Sequence, residues 1–98
     1  MAARPAVVVV VVYTPESDVD TRQIAEAREG SQDAKAGFLA LNGSDDEQVA
    51  ELAGLYDVRT TPAVLVFTRG QTLLTKITGY ADSEIVAQAA QNARELSS

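Results

Sequence analysis

Ser17 and Asp20 stand three residues apart where an extended apolar run gives way to a helix, and they are the first candidates for chemistry. A helix N-terminus concentrates unpaired N–H groups and positive potential, so a nucleophile placed there gains from the dipole. That dipole suffices to ionise a thiol, whose ordinary pKa is about 8.5. A serine hydroxyl starts far too high and needs a base. The chain contains no histidine and no cysteine. This removes the base, along with thiolate nucleophiles, disulfides and zinc sites of the usual ligand types. Ser17 therefore reads as a helix cap, whose replacement costs typically about 1 kcal/mol. No catalytic residue and no cofactor is expected, and the chain does not read as an enzyme.

The other polar clusters lead to the same reading. Glu16, Asp18 and Asp20, joined by Asp57, have the chemistry of a hard-cation site. Calcium, however, wants about six or more oxygens, and no D-x-D-x-D-G loop exists to supply them. The cluster is expected to be a solvated acidic helix start, in which Asp18 and Asp20 complement the dipole and repel an incoming anion. Asp45, Asp46 and Glu47 are dipole partners of a later helix in the same way. Paired carboxylates can run acid–base hydrolysis, but no apolar pocket is evident to raise one pKa. Tyr13 and Tyr80 read as aromatics at the edge of the core.

The 98 residues suffice for one domain, 1–98. With 46% apolar residues, five aromatics and no tryptophan, the core must be built from Val, Leu, Ile and Ala. A net charge of −6 leaves no basic stripe for nucleic acid and disfavours anionic membrane surfaces. A basic partner would gain in association rate. Arg4 followed by Ala6–Val12 mimics the start of a secretory signal, but the run is short and no A-x-A site follows. Without cysteine the redox compartment is not legible. The chain reads as cytoplasmic if complete and as a soluble domain if excised from an anchored parent.

The elements that would position Ser17 and Asp20 follow from the apolar patterning. Val7–Val12 is a run of six valines, a central strand buried on both faces. Pro15 stops it, and Ser17 opens a helix to about Glu29, with Asp20 closing a weaker capping box and Gly30 ending the helix. Its apolar stripe is thin, essentially Ile24 and Ala27. Lys35–Leu41 is a second strand, with Phe38 and Ala40 on one face and Leu39 and Leu41 on the other. After the Asn42-Gly43 turn, Ser44-Asp45-Asp46-Glu47 is a full capping box for a helix with Val49, Leu52, Ala53 and Tyr56 on its apolar side. Strand Ala63–Phe67 turns at Arg69-Gly70 into the edge strand Thr72–Thr78, which Gly79 ends. Asp82 then caps a helix carrying Ile85, Val86, Ala89, Ala93 and Leu96. The order is β-α-β-α-β-β-α. It implies an α/β fold with a four-stranded mixed sheet ordered 2-1-3-4 and helices on both faces. The first two strands are parallel through a helical crossover, and the last two run antiparallel to the first.

This element order, together with the stretch Tyr56-Asp57-Val58-Arg59-Thr60-Thr61-Pro62-Ala63-Val64-Leu65-Val66-Phe67-Thr68-Arg69-Gly70, resembles the thioredoxin-like superfamily. The stretch looks like the family pattern Y-G-V-R-x-x-P-T-hydrophobic-F-x-x-G, and Gly79-Tyr80 resembles the glycine before its last helix. The resemblance implies that Pro62 is the family's cis-proline. It places Ser17 and Asp20 where the C-x-x-C cysteines would stand, and Val11 where many members keep a buried acid. Nucleophile and proton relay are both missing. The extra N-terminal strand and helix of full thioredoxins are absent too.

The resemblance thus implies a redox-inactive member acting as a protein- or peptide-binding module, chaperone-like or an assembly accessory. Its site would comprise Ser17, Asp18, Asp20, Thr60, Thr61 and Pro62. The acidic rim of Glu16, Asp18 and Asp20 favours an extended peptide rich in Lys or Arg. Two alternatives stand beside this reading: a structural homo-oligomer, and a thiol-ligand-binding or enzymatic domain using Ser17.

Overall fold

The computed structural model describes residues 7–43, 46–68 and 72–97. The valine run becomes strand β1 (Val7–Tyr13), followed by helix α1 (Asp18–Asp33), β2 (Gly37–Asn42), α2 (Asp46–Tyr56), β3 (Ala63–Thr68), β4 (Leu73–Thr78) and α3 (Ser83–Ser97). The sheet order is β2-β1-β3-β4. β1 pairs parallel with β2 and antiparallel with β3, and β3 pairs antiparallel with β4. Only β3 opposes β1 in direction. β4 reverses again and runs with β1, which corrects the expectation that both closing strands oppose the first.

Alternation along β1 divides the valines between two cores. Val7, Val9 and Val11 join Val64 and Val66 of β3 beneath α1 and α3. Val10 and Val12 join Leu41, Ala63, Leu65 and Phe67 beneath α2, which contributes Val49. Each fully buried valine side chain is worth roughly 1.5–3 kcal/mol, so the unbroken run suits a strand covered on both sides.

Two helix boundaries and faces differ from the sequence expectation. Gly30 does not end α1, which continues for three residues to Asp33. The termination lies at Lys35, in the left-handed region at φ 57°. There the N–H of Ala36 bonds the carbonyl of Ser31 and that of Lys35 bonds the carbonyl of Gln32, a Schellman ending without glycine. Gly30 instead marks the contact with α3. A Cβ added there would lie 2.6 Å from the Ser83 carbonyl oxygen and 2.9 Å from Val86 Cβ. On α3 the buried stripe is Val86, Ala90 and Ala93, while Ile85 and Leu96 are exposed. Alanines let the two helices approach closely, and the larger flanking residues point outward.

Asp82 caps α3 as expected, its carboxylate accepting from the N–H of Ile85 at 3.0 Å. The Ser44-Asp45-Asp46-Glu47 capping box and the Arg69-Gly70 turn lie outside the described residues or their side chains. No helix among the described residues is long and apolar enough to cross a membrane.

Candidate functional site

Four connections converge at one end of the sheet. The first is the turn from β1 into α1. Its Ser17 adopts extended backbone at the N-cap and accepts from the N–H of Asp20 at 3.3 Å. The carboxylate of Asp20 then does something the sequence reading did not foresee. Rather than facing water, it is 2% exposed. One oxygen accepts from the Thr14 N–H at 2.6 Å and the other from the Ser17 hydroxyl at 3.2 Å. Asp20 ties the turn to the helix it opens. It is therefore not part of a solvated acidic rim, which reduces to the exposed Glu16 and Asp18. The turn is tight enough to hold Glu16 in the left-handed region, at φ 69°.

The second connection runs from α2 to β3. Lys76 of β4 donates to the carbonyls of Tyr56 and Asp57 at 3.2 and 3.1 Å, closing the C-terminus of α2. A cation satisfies orphan carbonyls there and opposes the negative end of the dipole. Asp57 is paired with Arg59 at 2.7 Å, and that hydrogen bond and charge hold its carboxyl below the usual range. Asp57 thus answers to Arg59, and it does not converge with Asp20 as a cation site would require. Beyond it, Thr60 is exposed, Thr61 half-buried and Pro62 buried. The Thr61–Pro62 peptide bond is cis. The Pro62 carbonyl accepts from Gly79 N–H at 3.0 Å.

These two connections touch. The hydroxyls of Thr14 and Thr61 share a hydrogen bond of 2.5 Å. Gly43, in the connection from β2 to α2, donates its N–H to the Tyr13 carbonyl at 2.6 Å. A Cβ at Gly43 would lie 3.0 Å from that oxygen and 3.6 Å from the Thr61 methyl. The small residue lets three chain segments meet. No described residue hydrogen-bonds the backbone N–H or C=O of Thr61.

The fourth connection, Gly79 to Asp82, is held by Gln23. This fully buried side chain of α1 donates to the Ala81 carbonyl at 2.8 Å and accepts from the Ala81 N–H at 2.6 Å. Tyr80, just before it, is 44% exposed; partial desolvation and the Glu26 carboxylate push its phenol above the usual range. With Asp18, Val19 and Arg22 of α1, Tyr80 lines a groove of about 460 Å³. A second depression of about 300 Å³ lies between Asp57–Thr60, Ala63 and the Lys76–Thr78 side of β4. Tyr13 is half-buried against the core, as expected of a core-edge aromatic, whereas Tyr80 faces the groove.

The structure thus brings Ser17, Asp20 and Thr61 together through Thr14. Asp18 instead lines the groove with Val19, Arg22 and Tyr80. Thr14, Gln23, Gly43 and Arg22 were missed in the sequence. Of these, Gln23 had a readable signal, since Asp20, Gln23, Ala27, Gly30 and Ala34 fall at helical spacing on one face. The apolar stripe alone shows only Ile24 and Ala27. Val11, under the turn, is fully buried and leaves no acid in the core there.

No protein-family model matches the chain, and no curated protein matches it by sequence. Solved structures do. Thioredoxin-2 of the malaria parasite, described as a component of its protein secretion machinery, superposes with a TM-score of 0.75 at 15% identity, covering 93% of this chain and 86% of its own. A point-mutant thioredoxin from Halobacterium salinarum gives 0.77 at 16% identity, over 92% and 76% of the two chains. Thioredoxin f2 of Chlamydomonas reinhardtii gives 0.70 at 20% identity, over 91% and 81%. At such identities the likeness is one of fold. The chain has a thioredoxin-like fold and, with no cysteine anywhere, lacks the C-x-x-C motif.

Proposed function

We propose that the chain is a redox-inactive, non-catalytic binding module that holds an extended peptide segment between the Ser17 end of α1 and the Thr60–Ala63 connection. One observation carries this reading. The Thr61 backbone presents a donor and an acceptor that no described residue uses, beside a connection fixed by Thr14 and Gly79. Main-chain groups held in this way suit strand-like pairing with an incoming peptide, which gives affinity without any thiol. The groove of Asp18, Val19, Arg22 and Tyr80 supplies an apolar wall with one carboxylate and one guanidinium. A preference for basic peptides rests on Glu16 and Asp18 alone, now that Asp20 is turned inward, and Arg22 offsets it.

The test is a phage-displayed peptide library selected on the folded protein, with the best peptide titrated against two variants. Thr61→Arg fills the groove and adds a cation; binding should fall by about tenfold or more, the loss of one good main-chain contact. Gln91→Arg, on the exposed side of α3, should bind like the native chain. Equal binding by the two variants would place the interface elsewhere.

A further inference from the structure

Asp18 and Arg22 lie four residues apart on α1, a spacing at which an acid and a base ordinarily pair across one helical turn. They do not. Both are exposed, and neither makes a hydrogen bond or an ion pair with any described residue. Glu26, four residues beyond Arg22, is not its partner either; one of its carboxylate oxygens accepts from the Ser83 N–H at 3.3 Å. Beside these two charges the groove wall is apolar. Val19 is 54% exposed and Tyr80 44%, and the four side chains line the space of about 460 Å³. The wall is also held in place. Asp20, next to Val19, ties the first turn of α1 to the Thr14 N–H. The Gln23 amide holds both polar groups of Ala81, next to Tyr80. A preformed apolar slot flanked by one carboxylate and one guanidinium matches a ligand that carries both charges around an apolar group.

We propose that this groove reads a three-residue segment of the bound peptide: one basic, one apolar and one acidic residue, in that order outward from the portion paired with Thr61. The inference rests on the peptide-holding role of Thr61 and adds the chemistry of the segment that is held. The basic side chain meets Asp18, the acidic one meets Arg22, and the apolar one turns to the wall that Tyr80 contributes. Spacing supports the pattern. Four residues of helix rise about 6 Å, and two residues of extended chain span about 6–7 Å. Alternate peptide residues therefore fall opposite the two charges, and the residue between them points to the other side. The order follows from the course of the helix. Asp18 adjoins the N-cap Ser17, at the end where Thr14 meets Thr61, whereas Arg22 stands one turn further along α1. An aromatic residue suits the middle position, because its ring packs on that of Tyr80. The opposite charge order sets like charges together at both positions, and the groove rejects it. A net charge of −6 alone would favour a purely basic peptide, and Arg22 is what calls for the acid.

Two selections from one phage-displayed peptide library test this, the first on the native chain and the second on the charge-exchanged variant Asp18→Arg, Arg22→Asp. The native chain should enrich the basic–apolar–acidic pattern, and the exchanged variant should enrich the opposite charge order. A synthetic peptide from the native selection should lose about tenfold or more in affinity when its two charges are exchanged. The exchanged variant should recover most of that loss. Tyr80→Ser should weaken the native-selected peptide and leave its charge preference in place. The same charge order from both selections overturns the proposal. So does a native-selected peptide indifferent to the exchange of its charges, or one that binds Tyr80→Ser as it binds the native chain. If the exchanged variant does not fold, the native chain with the two synthetic peptides decides alone. Peptides that Thr61→Arg abolishes and the charge exchange leaves untouched uphold the Thr61 site and overturn the groove's part in it. A library that yields no binder overturns both.

Discussion

Gly30→Ala should lower the unfolding free energy by up to about 2 kcal/mol, while the same substitution at Gly54 should raise it by about 0.5–1 kcal/mol. Both glycines lie inside helices, so alanine gains about the same helical propensity at each, close to 1 kcal/mol. What differs is the space around them. At Gly30 the new methyl would meet backbone, the Ser83 carbonyl oxygen at 2.6 Å and the Ala87 nitrogen at 3.0 Å, as well as Val86 Cβ. Backbone cannot swing away as a long side chain can, so α1 and α3 must separate, and overpacking of this kind costs about 1–3 kcal/mol. At Gly54 nothing lies within 4 Å. Urea unfolding of the two variants followed by circular dichroism gives both values. Equal signs would mean that the α1–α3 contact is looser than described.

Gln23→Leu should cost more, about 3 kcal/mol, although it exchanges a polar side chain for an apolar one of similar volume. The amide of Gln23 is the partner of both polar groups of Ala81, one at 2.6 Å and one at 2.8 Å. Leucine satisfies neither, and each buried group left without a partner costs about 1–3 kcal/mol. Because the lost bonds anchor the connection that carries Tyr80, exchange at the Ala81 amide should quicken more than the global loss requires. A leucine variant as stable as the native chain would show that water replaces the amide and that the anchor is dispensable.

These positions also show where sequence reasoning reached its limit. The unbroken valine run, the Asn42-Gly43 turn and the Tyr56–Gly70 stretch each carry a local signal, and the strand order 2-1-3-4 followed from them. Asp20 and Gln23 do not announce themselves in this way. Burial of a polar side chain depends on partners distant in the chain or on a turn's geometry, such as Ala81 for Gln23, and composition records neither. The reading of Asp20 as a solvated acid failed for this reason. A carboxylate near a helix start stabilises the dipole whether it faces out or in, and only the Thr14 N–H decided between them. Gly30 was misplaced by a related ambiguity, since a glycine late in a helix serves equally as a terminator or as a point of close approach. The face of α3 was legible only in part. Its alanines are as consistent with one side as with another, until α1 is packed against them.

The site follows the same division. Ser17 at the helix start and Thr61 before Pro62 were legible from their neighbours in sequence. Their connection through Thr14 was not, because a hydroxyl pair across 47 positions has no local trace. The groove beside Tyr80 was likewise hidden by treating that residue as part of the core edge. What the structure adds is therefore mostly the set of contacts between connections, and those contacts are what hold Thr61 in place.

Were cysteines placed at 17 and 20, the start of α1 is expected to hold them within reach of one another. The Ser17 hydroxyl lies 3.2 Å from an Asp20 carboxylate oxygen, so the two side chains already meet at the helix start. The direct measurement is a thiol count and insulin-reduction assay on the native chain and on the Ser17→Cys, Asp20→Cys double variant, held in oxidised glutathione and then in dithiothreitol. The native chain should reduce no insulin above buffer. The variant should lose both thiols to a 17–20 disulfide and regain them on reduction, because the two side chains already meet at the helix start. Insulin reduction by the native chain, or thiols at 17 and 20 that stay free in a folded variant, would contradict the account.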